Sequence, residues 1–226
     1  MSTSTSARFG HRRRQQADSA GGFATRVMER GVTLVEFAFV SVIMFSLVAA
    51  TVDYGRGWQS GMAITEAARA GARVGSSQAK NSDADFNALM SIRASLTASD
   101  KLNDVELVVI YRADNANGVP PSSCVGTGSF SGTCNVFTKA QLEALTLSSF
   151  NIVDNSPNPP TGNGCAKSGY ASRAGWCPTS RVNSPQGSAE YIGVYIRYRQ
   201  NNLFPLSGPS RTISRTAVMR LEPPTM

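Results

Sequence analysis

Residues 32–52 read VTLVEFAFVSVIMFSLVAATV, from Val32 to Val52, and Glu36 is their single charge. As a helix rising about 1.5 Å per residue, this stretch covers roughly 32 Å, enough to cross a hydrocarbon core of roughly 30 Å. A helix that is apolar on every side has no face to offer water, so lipid or other apolar helices must surround it. The stretch therefore predicts a membrane-spanning helix, and the remaining chain is read outward from it.

On its N-terminal side, residues 1–31 hold Arg8, Arg12, Arg13, Arg14, Arg26 and Arg30 against Asp18 and Glu29, so more than half of the chain's net +7 sits there. On the other side Asp53 and Arg56 nearly balance. The positive-inside rule then puts the N-terminus in the cytoplasm and the rest of the chain outside it. The expected organisation is a basic cytoplasmic leader over 1–31, a transmembrane helix over 32–52 and an extracytoplasmic domain over 53–226. This placement of the arginines also removes the nucleic-acid partner that a pI near 9.6 suggests. Such binding needs Lys and Arg clustered on a folded face.

Of the 226 residues 41% are hydrophobic and 16% charged, and there is one histidine, His11, in the leader. No Ser-His-Asp triad or histidine-rich metal site follows from that inventory. There is also no Gly-rich phosphate loop, and the cysteines have no histidine partner. Catalytic, cofactor-binding and metal-binding residues are accordingly expected to be none.

All four cysteines, Cys124, Cys134, Cys165 and Cys177, follow the apolar run, and no CxxC pair is present. Three pairings are possible. Joining Cys124 to Cys134 and Cys165 to Cys177 closes two short Gly/Ser-rich loops, and the oxidising compartment such bonds need agrees with the topology. Four reduced thiols remain the alternative.

Glu36 is the most informative residue. A charge at a helix centre costs roughly 2.5–3.5 kcal/mol on insertion scales, less toward the interface, and the apolar run holds no partner for it. The flank Glu29-Arg30-Gly31-Val32-Thr33-Leu34-Val35-Glu36-Phe37 resembles a type IV prepilin signal. The resemblance implies that a membrane aspartyl peptidase, the prepilin peptidase, cuts between Gly31 and Val32. Glu36 is then the fifth residue of the mature chain, followed by the aromatic Phe37. Cutting exposes an amine on Val32, which the Glu36 carboxylate of a neighbouring subunit could pair with as helices assemble. An unpaired buried charge is costly, whereas a paired one is tolerated and sets register. Two other readings stand beside this one. Val48-Ala49-Ala50 before Thr51 resembles a secretory signal-peptidase site, although the run is long for such a signal. An uncut single-span anchor would keep Glu36 at the interface.

Past the membrane, small residues recur at Ala63, Ala67, Gly71 and Gly75, a stripe that lets another backbone approach closely. It fits packing against neighbouring subunits and packing against the chain's own sheet equally well. The helix is expected to continue past the membrane, and Gly55, Gly57 and Gly61 could bend or break it, which the residues leave open. A second helix is expected over about 83–98 with Asp83 as its N-cap, and a strand over 105–111. Thr138, with Gln141 in capping-box position, opens a short helix. Residues 151–188 read as a long loop. Strands at 191–198 and 211–221 flank a turn at Pro205, Gly208 and Pro209. The fold class is α+β: a transmembrane helix extended into a pilin-like domain with a small, antiparallel, three-stranded sheet.

RGVTLVEFAF, AARAGARVG, EYIGVYIRY and RTISRTAVMRLEP together resemble the TadE-like proteins of tight-adherence (Flp) pilus systems. Where members often carry a proline in the apolar segment, this chain reads Val40-Ser41-Val42-Ile43. The resemblance implies a non-enzymatic minor pilin or pseudopilin: a single-pass subunit of the bacterial cytoplasmic membrane, or of the pilus at the cell surface. Its implied partners are the prepilin peptidase, other pilin and minor pilin subunits, the inner-membrane assembly platform and membrane lipid. Val32, Glu36 and Phe37 would be the assembly residues. The alternative is a tip adhesin or surface-binding module, with Tyr170 and Trp176 on display between residues 112 and 188.

Overall fold

In a computed structural model of the chain, residues 21–126, 129–155, 158–184, 189–204 and 208–223 are described, with side chains from Thr33 onward. The first twenty residues of the expected leader lie outside them. The elements in chain order are helix α1 (Gly21–Gln78), helix α2 (Ala84–Ala98), strand β1 (Val105–Ala113), helix α3 (Ser122–Val125), strand β2 (Cys134–Thr138), helix α4 (Lys139–Glu143), strand β3 (Arg173–Ala174), strand β4 (Tyr191–Asn201) and strand β5 (Ser210–Arg220). Residues through Val52 and residues from Asp53 onward form two compact units.

In the second unit the sheet has five antiparallel strands in the order β3-β2-β1-β4-β5, not three. The three expected strands are β1, β4 and β5. The two additional strands are short and sit beside cysteines in Gly/Ser-rich sequence, where alternation over two to five residues is too brief to stand out from loop. β1 is central, and VELVVIY is buried on both faces. Val108 and Ile110 join the core with Ile64, Ala68 and Ala72 of α1 and Leu89, Ile92 and Leu96 of α2. Leu107, Val109 and Tyr111 point to the other face, where they pack with Cys124, Cys134 and Val136. Burial on both sides explains why the strand reads as a continuous apolar run.

The small-residue stripe packs within this unit. A Cβ on Gly71 would collide with Ile92, and one on Gly75 would come within 2.6 Å of Ile192 Cδ1. The helix continues past the membrane run as expected, and the open question of a break at Gly55–Gly61 is answered by an unbroken α1. Two of those glycines serve approach rather than bending. A Cβ on Gly57 would overlap the Arg211 guanidinium, and one on Gly61 would lie 2.8 Å from Arg215 Nη2. Both arginines come from β5 and cross the helix where it carries no side chain.

Two N-caps were expected, and they behave differently. Thr138 opens α4 with a full capping box: Gln141 N–H donates to Thr138 Oγ1 at 3.4 Å, and Thr138 N–H donates to Gln141 Oε1 at 2.9 Å. Asp83 precedes α2 without capping it through its side chain. Its carboxylate instead accepts from Asn87 Nδ2 at 2.9 Å.

Candidate functional site

Residues 33–52 expose Leu34, Val35, Phe37, Phe39, Val42, Ile43, Phe45, Leu47 and Val48 around the whole helix circumference. Phe37 is 69% exposed and Phe45 75%. None of the most apolar window of this helix is buried, and its length suffices to cross a membrane. Three of the hydroxyls in the run are satisfied within the helix. Ser41 Oγ donates to Ala38 O at 2.9 Å, Ser46 Oγ donates to Val42 O at 2.8 Å, and Thr51 Oγ1 donates to Leu47 O. Such back-bonding lets a polar residue sit in hydrocarbon without exposing an unpaired group. Glu36 has no such internal solution. Its side chain is exposed and makes no hydrogen bond or ion pair among the described residues. It sits one helical turn beyond Val32. Gly31 and Val32 fall where the backbone alone is described, within α1.

An exposed apolar helix with one unpaired carboxylate near its start is the most chemically distinctive surface described. Residues 31–73 match the family model of the TadE-like proteins. The chain is TadE-like over that segment, which begins at Gly31 and runs through the apolar run into the stripe of small residues. No curated protein and no solved structure matches the chain. The TadE-like family is associated with the tight-adherence pilus and is structural rather than catalytic. A single apolar N-terminal helix in such a protein is consistent with a single-pass membrane anchor.

Away from the membrane, the cysteines are paired as Cys124–Cys134 and Cys165–Cys177, with Cα atoms 6.2 and 4.7 Å apart. The second loop is held from inside by polar residues whose burial the sequence did not signal. Arg181, fully buried after Cys177, donates through Nη2 to Asp85 in the first turn of α2. Its guanidinium also stacks 4.3 Å over the Trp176 ring. Asn135 of β2 donates to Asp85 Oδ2 at 2.7 Å and to Trp176 O at 2.8 Å, and its Oδ1 accepts from Gly175 N–H and Trp176 N–H. Trp176 is thus a packing residue at 5% exposure, not a displayed ring, whereas Tyr170 is exposed. That removes half of the aromatic pair on which the adhesin reading was built.

Asp53 is a second residue whose role the sequence concealed. It reads as a polar exit from the membrane, yet it is buried. Its carboxylate accepts Leu203 N–H at 2.8 Å and Phe204 N–H at 2.9 Å, tying the turn between β4 and β5 to the helix.

Proposed function

We propose that this protein is a minor pilin or pseudopilin of a tight-adherence pilus, matured by a prepilin peptidase that cuts between Gly31 and Val32. The observation that carries the reading is Glu36, the one charge in an apolar run whose large side chains are exposed. In hydrocarbon such a carboxylate calls for a cation. Removal of residues 1–31 supplies one in the amine of Val32. The amine and carboxylate of a single mature chain lie one turn apart on the same helix. Pairing between neighbours would therefore fix the axial offset of adjacent subunits. The N-terminus lies in the cytoplasm, and residues 53–226 lie outside it.

Gly31 suits the cut for a mechanical reason. The peptidase must hold its substrate extended, and α1 passes through Gly31 as helix. Glycine lowers the cost of unwinding there by about 1 kcal/mol relative to alanine. Its missing side chain also opens the backbone to attack. The partners that follow are the prepilin peptidase, other pilin and minor pilin subunits, the inner-membrane assembly platform and lipid.

Two substitutions separate cutting from assembly. Gly31→Trp should block cutting and leave the full-length mass on intact mass spectrometry. Glu36→Ala should be cut normally yet fail to support piliation, scored by electron microscopy of complemented cells. Wild-type piliation with Glu36→Ala would refute the pairing.

A further inference from the structure

The turn between β4 and β5 presents two apolar side chains to solvent: Leu203 is 57% exposed and Phe204 42%. Adjacent exposed apolar residues on a held turn can mark an interaction site. The described residues of the turn are held at several points. Asp53 accepts the backbone N–H of both residues. Asn202 Nδ2 donates to Gly208 O at 2.7 Å, and Asn202 N–H donates to Pro209 O at 3.0 Å. Gly208 has φ +106°, a left-handed conformation that suits glycine.

Asp53 follows directly on Val52, the last residue of the apolar run. Leu203 and Phe204, hydrogen-bonded to Asp53, are therefore tethered one residue beyond the apolar run. Tyr54 and Trp58, exposed at 68% and 64%, lie on an adjacent face of the same helix. They stand about 3 and 9 Å beyond Val52 along the axis. The interfacial layer is roughly 5–8 Å deep on each side of the core, so Tyr54 falls within it and Trp58 just past its outer edge. Tyr and Trp are the residues that favour this layer. Arg56 and Arg199 add exposed cations near the same end, which suits anionic headgroups.

We propose that Leu203 and Phe204 dock into the membrane surface, giving the domain a second lipid contact besides its helix. Asp53 aims the hairpin by binding its backbone, while the two side chains enter the headgroup–acyl boundary. The inference rests on the reading that residues 32–52 cross a bilayer.

The test is lipid quenching of tryptophan in the full chain, reconstituted into vesicles of mixed zwitterionic and anionic phospholipid. Trp58→Phe gives the background, and Trp176, being buried, serves as internal reference. Phe204→Trp reports the tip, and Phe45→Trp reports the span. Lipids brominated near the headgroup end of the acyl chain should lower Phe204→Trp emission roughly twofold, and those brominated at the chain end should lower it much less. Phe45→Trp should show the opposite order. Quenching of Phe45→Trp without quenching of Phe204→Trp overturns the docking and leaves the span standing. Quenching of neither overturns both. A Phe204→Trp signal that shifts blue with rising protein density, yet ignores bromine, assigns the tip to a second copy and overturns the lipid contact.

Discussion

Burying Arg181 with Asp85 removes two charges from water, and their attraction offsets that cost only while both remain. Arg181 Nε and Nη1 find no hydrogen-bond acceptor among the described residues, so Asp85, the Trp176 carbonyl and the Trp176 ring hold the guanidinium. Asp85→Ala should therefore destabilise the fold by about 3–5 kcal/mol, read from urea unfolding of detergent-solubilised protein by circular dichroism. The double variant Asp85→Leu/Arg181→Met should lose less than Asp85→Ala alone, because no orphan charge remains. Two tyrosines give a pH signature at the same scale. Burial pushes Tyr111 up to about 12. Burial, then the charge of Asp104 and its hydrogen bond to the phenol, push Tyr198 up to about 12. Both phenols are held protonated more strongly in the folded chain than in the unfolded one. Their contribution is complete below pH 10 and is lost as pH rises from 10 to about 12, at roughly 1.4 kcal/mol per unit for each. Tyr198→Phe should make the alkaline decline of stability shallower; an unchanged slope would exclude Tyr198 as a source.

Among elements, α1 shows what periodicity can and cannot tell. Small residues four apart mark a close approach but not what approaches. Here Ile92, Ile192 and the arginines of β5 fill the space. Gly71→Leu should cost about 1–3 kcal/mol by overpacking against Ile92, whereas Gly55→Ala, with nothing near its Cβ, should be neutral or slightly stabilising; thermal unfolding of the two variants compares them. Strands β4 and β5 were legible because eleven residues of each pair in one unbroken register. β2 and β3 were not, since their identity comes from pairing with β1 and with each other rather than from local pattern. Each disulfide closes a short loop next to these two strands. Reduction should lower stability by about 2–3 kcal/mol per bond, measured as a fall in the urea midpoint with and without reductant.

At the scale of the whole molecule, two kinds of residue define the account: those that lipid must surround and those that fold around β1. The apolar run and Glu36 were plain in the sequence, because a charge among twenty uncharged, mostly apolar residues stands out without any fold. Asp53, Asp85, Asn135 and Arg181 were not, since each looks like an ordinary surface residue until its partners, up to 151 positions away, come into place. What acts at the membrane was thus written locally, and what positions the domain was written at long range. The central claim is that the chain starts to work only after it loses residues 1–31. N-terminal sequencing of the protein purified from native membranes tests this most directly. The account predicts a chain beginning Val-Thr-Leu-Val-Glu, from Val32; a chain beginning at Met1, or at Thr51, would contradict it.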